Sequence, residues 1–276
     1  MTSSIHPLDE ALALTSSAPG QFTGQTHPGY WNMVGPFGGV TAATLLQAVM
    51  QHPDRLGDPL SLTVNYAGAL TAGPYTVQAT PVRTNRSTQH WTLTILQADA
   101  EGAPVVTTTA TAVTAVRRDT WSAGDVPMPA VPGPTAHPAI EHGPEAMEWL
   151  NRYEMRPITG ALPRAWDGSG DHSLTQLWMR DAPPRPLDFC ALAALADVFF
   201  PRVWLRRAHR VPAGTVSITV YFHASAAQLQ ETGMGYLLGQ ARGQEFRNGF
   251  FDQTVQLWNE AGTMLATSHQ IVYYKE

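Results

Sequence analysis

The sequence predicts an α+β fold of two similar halves, each with one helix on an antiparallel sheet. Two observations lead to this prediction. First, one helix-like segment followed by four strand-like segments occurs twice in the 276 residues. Second, short stretches of the two copies match: SLTVNY at 61–66 matches SITVYF at 217–222, an offset of 156, while Thr94 matches Thr254, an offset of 160. An internal duplication with a four-residue insertion between the matched stretches explains both offsets.

The first half begins with a predicted helix over 38–51, GGVTAATLLQAVMQ. Two glycines open this segment, Ala, Leu and Gln dominate it, and Pro53 ends it. Four β-branched, largely alternating segments follow, separated by turn residues, and this pattern predicts an antiparallel meander. The predicted strands cover 60–70, 75–84, 89–99 and 105–116.

A proline-rich segment separates the two copies. Six prolines occur between Ser122 and Pro144, and no apolar periodicity survives among them. This composition is typical of a linker. The sequence therefore predicts a first half at 1–118, a linker at 119–148 and a second half at 149–276.

The second half repeats the order of elements. Residues 189–200, FCALAALADVFF, read as a helix that Pro201 ends. The predicted strands that follow cover 215–223, 234–244, 250–259 and 263–274. A helix laid across a curved antiparallel sheet buries the apolar face of that sheet, which is the hot-dog layout. Two such halves would join edge to edge into one longer sheet; an unrelated α+β fold with coincidental repetition is the alternative.

Composition argues against several kinds of partner. The formal net charge is −5 at pH 7, and no run of Lys or Arg is long enough to bind a nucleic acid backbone. Residues 1–20 lack a basic stretch followed by an apolar core, and no segment approaches the roughly 18 apolar residues of a membrane span. We therefore expect a cytoplasmic protein with neither nucleic acid nor membrane as partner. The one cysteine, Cys190, lies in an apolar run and reads as a small buried hydrophobe.

Short landmarks occur in a fixed order along the chain. They are Trp31, Gly35-Pro36-Phe37-Gly38-Gly39, Met128-Pro129-Ala130-Val131-Pro132, Leu195-Ala196-Asp197, Tyr221-Phe222-His223 and Ser268-His269-Gln270. In this order they resemble the landmarks of the type II acyl-CoA thioesterases over nearly the whole chain. The resemblance implies a double hot-dog fold and the hydrolysis of acyl-CoA, without a metal or redox cofactor. The segment Ala224-Ser225-Ala226 departs from the aromatic and basic residues that the family often has there, which leaves the acyl-chain preference open.

The resemblance also implies a set of three residues, Asp197, Thr215 and Gln270, that together hold a hydrolytic water. Asp197 is the one ionisable residue between Asp188 and Arg202, in a predicted helix that is apolar on every side. A buried carboxylate must find hydrogen-bond donors or take a raised pKa, and either outcome suits a general base. An aspartate that reaches solvent near the helix end is the alternative.

Strand alternation predicts that Thr215 shares a face with Ser217 and Thr219, opposite Ile218. Taken alone, a Thr or a Gln on a strand is usually structural. The candidate role of Thr215 and Gln270 therefore depends on their combination with Asp197.

The start of the first helix supplies a second candidate feature. Gly38, Gly39 and Val40 place free backbone N–H groups at the positive end of the helix dipole, where they could bind a developing oxyanion. Close packing at the glycines is the alternative.

The motifs GxGxxG, GxxxxGK[ST] and GxSxG are absent, and loop histidines such as His27 lack metal-ligand spacing. Direct attack by water is the remaining mechanism.

The duplication indicates which half is catalytic. It sets Pro59 against Thr215 and Ala110 against Gln270, and neither side chain can hold a water; Gln47 falls near the position of Asp197. We therefore expect one active site per chain, in the second half.

Two functions other than thioester hydrolysis are the alternatives. One is a hot-dog enoyl-CoA hydratase, although the Asp-His pair of such an enzyme is missing here, and the other is a non-catalytic acyl-CoA-binding protein. The sequence leaves open the acyl group, an acyl carrier protein as substrate, and whether the chain forms a homo-oligomer.

Overall fold

The structure is a computed structural model that describes residues 5–276, and in this part of the chain 13 strands form one sheet. The strands before the proline-rich segment are β1 Thr15–Ala18, β2 Gln21–Gln25, β3 Asp58–Tyr66, β4 Pro74–Thr84, β5 Thr88–Ala98 and β6 Pro104–Ala115. The strands after it are β7 Tyr153–Thr159, β8 Thr175–Asp181, β9 Ala213–Phe222, β10 Leu237–Arg242, β11 Phe246–Arg247, β12 Phe250–Asn259 and β13 Met264–Tyr274. The helices are α1 Pro7–Ala11, α2 Gly38–Gln51, α3 Phe189–Leu195, α4 Arg202–Arg207 and α5 Ala226–Thr232, and short 3₁₀ turns cover Pro28–Tyr30, Pro134–Ala136 and Glu148–Arg152.

The sheet has an approximate twofold symmetry. Its order is β1-β2-β4-β5-β6-β3-β9-β13-β12-β10-β8-β7, with β11 paired to β12 alone. The central strands β3 and β9 are antiparallel, and Thr63 lies directly opposite Thr219, with 3.0 Å between their hydroxyl oxygens. These threonines are related by the offset of 156 that the sequence predicts, so the symmetry axis passes between them. The predicted double hot-dog fold, two helix-on-sheet halves in one chain, is confirmed.

One apolar core runs through both halves. Helix α2 lies against β3, β4 and β5 on one side and against α3 on the other. Leu45, Leu46 and Val49 on this helix are fully buried. Burial of each such side chain contributes about 1.5–3 kcal/mol, so packing stabilises this helix more than its intrinsic propensity does.

The second predicted helix is shorter than the sequence suggests. Helix α3 ends at Leu195, and the chain then turns before Pro201 and forms α4. The prediction of one helix over 189–200 was wrong because a continuous apolar run does not distinguish a buried helix from a buried turn. Asp197 therefore lies just beyond the helix rather than on it.

Several elements have no counterpart among the predicted ones. They are β1, β2, β7, β8, β11, α1, α4 and α5. Strand β7 lies at the edge of the sheet and contains Pro157, which is the position in a sheet where proline is tolerated. Helix α5 begins with a capping box formed by Ser225 and Gln228, and it delays the following strand to Leu237.

We propose residues 1–118 and 149–276 as the two units and 119–148 as the segment that connects them; residues 1–4 lie outside the described part. Arg117, next to this segment, donates hydrogen bonds to the carbonyl oxygens of Pro59 at 2.9 Å and Phe222 at 2.6 Å. It therefore ties the start of the connection to both central strands. Within residues 5–276, none of the helices has the length and apolar character needed to span a membrane.

Candidate active site

Asp197 is buried immediately after the end of α3, with 8% of its surface exposed. Its backbone N–H donates to the carbonyl oxygen of Ala194 at 3.1 Å, which tightens the turn. Ser268 on β13 donates to the carbonyl oxygen of Ala196 at 3.1 Å and anchors the same turn to the sheet. The aspartate is thus held between the helix end and β13.

Gln270 and Thr215 lie beside this aspartate. The amide nitrogen Nε2 of Gln270 donates to Oδ1 of Asp197 at 2.7 Å. The Thr215 hydroxyl donates to Oε1 of Gln270 at 3.3 Å. The structure therefore brings the three predicted residues together in the order Thr215, Gln270, Asp197.

A β-bulge brings Thr215 to this position. Ser217 pairs with Ile271, but the next partners are Thr215 and Val272, so Val216 is the extra residue. Without the bulge, alternation would place Thr215 on the face of Ser217, which is the expectation from the sequence, and that expectation was wrong. The bulge turns Thr215 to the face that carries Gln270 and Val272.

The first turn of α2 faces Asp197. The N-cap residue Phe37 offers no side-chain acceptor to this turn. A Cβ on Gly38 would lie 2.7 Å from Oδ2 of Asp197, and a Cβ on Gly39 would lie 2.6 Å from the carbonyl oxygen of Ala194. The glycines therefore leave room for the carboxylate and also allow close packing of α2 on the end of α3.

Val40 faces another part of the interior. Its side chain is buried and lines a small cavity together with Thr41 and Thr44. The other residues that line this cavity belong to the first half, and they are Ala11, Gln25, Thr26, His27, Pro36, Leu70, Tyr75 and Ile95. Only the backbone of Val40 belongs to the helix start that faces the site.

Burial sets the protonation state of Asp197. It raises the pKa of the carboxyl from its usual value to about 7, against the opposing effects of the Gln270 amide and the backbone N–H of Gly39. A carboxyl group with this pKa can accept a proton near neutral pH and release it again.

Tyr66 is a site residue that the sequence reasoning missed. Its hydroxyl donates to the carbonyl oxygen of Gly38 at 2.8 Å. Burial and the charge of Asp197 raise the pKa of the Tyr66 hydroxyl. The available signal was the difference between Tyr66 and Phe222 at the matched ends of SLTVNY and SITVYF.

The matching positions of the first half lack this arrangement. Pro59 stands next to a bulge of the same kind, and Ala112, opposite Leu62, corresponds to Gln270, opposite Ile218. The pairing therefore assigns Ala112, not Ala110, as the counterpart of Gln270.

The counterpart of Asp197 lies on α2 and faces the start of α3. It is Gln47, whose side-chain oxygen accepts a 3.3 Å hydrogen bond from the Cys190 thiol on α3. The side chain of Asp188 caps this helix by accepting from the Ala191 N–H at 2.8 Å. The start of α3 is therefore closed by its own cap, whereas that of α2 is open toward Asp197. Within residues 5–276, no three His, Cys, Asp or Glu side chains are grouped as metal ligands.

The fused hot-dog halves and the buried aspartate between them define a double hot-dog protein with an enzyme-like site. Residues 27–115 match the family model of the acyl-CoA thioesterase N-terminal domain, and residues 123–274 match that of the acyl-CoA thioesterase C-terminal domain. Because the two matches cover most of the sequence, the chain belongs to the acyl-CoA thioesterase family, whose members hydrolyse thioesters.

Solved structures agree with this fold. A conserved hot-dog protein of unknown function from Alicyclobacillus acidocaldarius is 47% identical, with a TM-score of 0.91 and 99% of each chain covered. A proposed thioesterase II from Thermobifida fusca is 18% identical, with a TM-score of 0.82 and 99% of each chain covered. An acyl-CoA thioesterase II from Mycobacterium marinum is 18% identical, with a TM-score of 0.77 and 97% of this chain and 98% of that chain covered. Comparison with curated proteins gave no match.

Proposed function

We propose that the protein hydrolyses acyl-CoA thioesters to the free acid and coenzyme A, with a water held by Asp197, Thr215 and Gln270. The main support is the buried carboxylate of Asp197, which accepts a 2.7 Å hydrogen bond from Gln270 beside an uncapped helix start. A buried acceptor with a pKa near neutrality, next to free N–H donors, suits an attack by water on a carbonyl group.

The proposed reaction has two steps. In the first, Asp197 takes a proton from the water as its oxygen attacks the thioester carbonyl carbon and forms a tetrahedral intermediate. In the second, the carbon–sulfur bond breaks, and the proton on Asp197 passes to the departing thiolate. The products are the carboxylic acid and the thiol of coenzyme A, and Asp197 returns to its ionised state.

Thr215 and Gln270 orient the water in this scheme. Because the Thr215 hydroxyl donates a hydrogen bond to Gln270, its oxygen can still accept a hydrogen bond from the water. Gln270 fixes the Asp197 carboxylate with one amide hydrogen and has a second hydrogen to donate. The two side chains thus limit the water to positions next to the base.

The start of α2 is the proposed oxyanion site. The first N–H groups of a helix have no acceptor within the helix, and they lie at the positive end of its dipole. Because the Gly39 N–H lowers the pKa of Asp197, we assign it to the carboxylate and propose the N–H groups of Gly38 and Val40 as the donors to the oxyanion. Removing one such donor from an enzyme commonly costs about 10²–10³ in kcat.

The decisive test compares two buried aspartates. Asp181 is also buried and also has a pKa raised by burial to about 7, but it lies at the end of β8, away from Gln270. We expect Asp197→Asn to lower kcat on an acyl-CoA panel by at least about 10²-fold, because an amide cannot accept the proton. Free-thiol release measures the rate.

The matched Asp181→Asn variant should keep kcat within about threefold of the wild type, because a carboxyl group outside the site takes no part in the proton transfer of the reaction. Equal losses in the two variants would contradict the assignment, as would wild-type turnover by Asp197→Asn. A wild-type protein that binds acyl-CoA without releasing thiol would favour the non-catalytic alternative.

A further inference from the structure

The peptide unit between Gly38 and Gly39 links Asp197 to a side chain of the first half. Its carbonyl oxygen accepts the 2.8 Å hydrogen bond from the Tyr66 hydroxyl. Its N–H, on Gly39, lowers the pKa of the Asp197 carboxyl group and so stabilises the ionised form. The carbonyl and N–H of one peptide unit are held in a plane and point in opposite directions. A hydrogen bond at the carbonyl therefore fixes the direction of the N–H.

Tyr66 is also close to the carboxylate itself. The position that a Cβ on Gly38 would take is 3.2 Å from the Tyr66 hydroxyl oxygen and 2.7 Å from Oδ2 of Asp197. The two oxygens therefore both border the space next to Gly38. A tyrosine hydroxyl with a raised pKa stays protonated at neutral pH and remains a hydrogen-bond donor.

We propose that Tyr66 is a positioning residue for thioester hydrolysis, whose hydroxyl holds the Gly38–Gly39 peptide so that the Gly39 N–H stabilises ionised Asp197. This inference rests on the proposed role of Asp197 as the base. Hydrogen bonds in series also polarise one another, by roughly 10–30% per bond. The active site of the second half then depends on a side chain of the first half.

The duplication supports a specific role for the hydroxyl rather than for the ring. The counterpart of Tyr66 on β9 is Phe222, which is 2% exposed and lacks a hydroxyl. The fold therefore accommodates a phenylalanine at this position of the repeat. The oxygen occurs in the copy that lies beside Asp197, and Tyr66→Phe is a variant that we expect to fold.

Besides burial, the charge of Asp197 raises the pKa of two tyrosine hydroxyls, those of Tyr66 on β3 and Tyr153 on β7. Burial raises the pKa of both hydroxyls, so both are neutral around pH 7. A change in the ionisation of Asp197 in Tyr66→Phe would therefore come from the lost hydroxyl and not from a lost charge.

The experiment measures kcat and KM against pH for full-length Tyr66→Phe. We expect kcat at pH 7 to fall about tenfold with KM within about twofold, because the base is less ionised while the binding surface is kept. The apparent pKa of the base should rise by slightly more than one unit, since a donor to its charged form is no longer held in place. Infrared difference spectra against Asp197→Asn should show the same rise in the pKa of the Asp197 carboxyl without any turnover.

Tyr221→Phe is the matched control. It removes a hydroxyl from a half-exposed tyrosine on β9 and should leave both kcat and the pH profile unchanged. A wild-type profile in Tyr66→Phe would overturn the inference, and so would a loss of kcat with an unchanged pKa of the Asp197 carboxyl in the infrared titration. Failure of the proposed function has a different signature, namely wild-type turnover by Asp197→Asn.

Discussion

At the scale of the residue, the chemistry of Asp197 depends on how completely it is removed from water. Desolvation disfavours its charged form, while Gln270 and the Gly39 N–H favour that form. Desolvation is the larger effect, and the pKa is therefore about 7 rather than that of an exposed aspartate. A base with this pKa is partly ionised at neutral pH and still retains a strong tendency to accept a proton.

This balance predicts a pH profile. Since the base must be ionised, kcat/KM should rise with pH, about tenfold per unit below the pKa, and level off above it. The apparent pKa of the free enzyme should be about 7. Initial rates with one acyl-CoA in a constant-ionic-strength buffer series measure it. Asp181→Asn should give the same profile, and a profile that is flat through neutral pH would exclude Asp197 as the base.

At the scale of the element, the close approach of α2 and α3 depends on two adjacent glycines that have different neighbours. Gly38 faces the side-chain carboxylate of Asp197, whereas Gly39 faces the Phe37 ring and the backbone oxygen of Ala194. A side chain can rotate away from a new methyl group, but a packed helix backbone yields only by shifting the helix. Alanine at the two positions should therefore have different consequences.

Gly38→Ala should lower kcat by about 10²-fold while leaving the free energy of unfolding nearly unchanged, because it displaces the base rather than a helix. Gly39→Ala should lower the free energy of unfolding by about 1–3 kcal/mol, because α2 and α3 must move apart. Urea unfolding and thiol release measure the two effects.

Gly133→Ala is the control for both variants, since a Cβ there meets no atom within 4 Å. It should change neither stability nor rate. Equal effects on stability from Gly38→Ala and Gly39→Ala would contradict the difference between the two contacts.

The elements also differ in how well the sequence predicts them. Helix α2 matches its prediction, 38–51, because two glycines mark its start and Pro53 follows its end. The end of α3 carries no such local signal. Its apolar residues continue past Leu195 because the turn is buried as deeply as the helix. The bulge at Val216 likewise has no local signal, since it depends on how β9 pairs with β13.

At the scale of the whole molecule, the two halves share a fold but differ at their helix starts. The start of α3 is capped by Asp188, while the start of α2 has Phe37 at its N-cap and no side-chain cap. Only the second half offers the polar residues opposite such a start, because Pro59 and Ala112 replace Thr215 and Gln270. We therefore propose a single catalytic site for each chain.

Calorimetric titration with a non-hydrolysable thioester analogue should give one equivalent bound per chain. Gln47→Ala should keep wild-type kcat, because the Gln47 side chain contacts Cys190 at the opposite end of the helix pair. Two equivalents per chain would count against a single site. So would residual activity in Asp197→Asn that disappears when Gln47 is also changed.

The sequence by itself determined the duplicated order of elements, the start of α2 and the types of the candidate residues. The duplicated order and the start of α2 follow from local signals, namely the spacing of apolar residues, turn residues and helix boundaries. The candidate residues follow from the resemblance to the type II acyl-CoA thioesterases. The offset of 156 relates Thr63 to Thr219, and the observed pairing of β3 with β9 places these two residues opposite each other at the centre of the sheet. Each of these properties belongs to a short stretch of chain or to a comparison of two stretches.

Only the tertiary structure decided how these residues meet. It placed Asp197 beyond α3 instead of on it, turned Thr215 inward through the bulge, and brought Tyr66 of the first half to the start of α2. Each outcome depends on the pairing of segments far apart in the chain, which no local pattern encodes. The raised pKa of Asp197 has the same origin, because desolvation comes from all the elements that surround the carboxyl group.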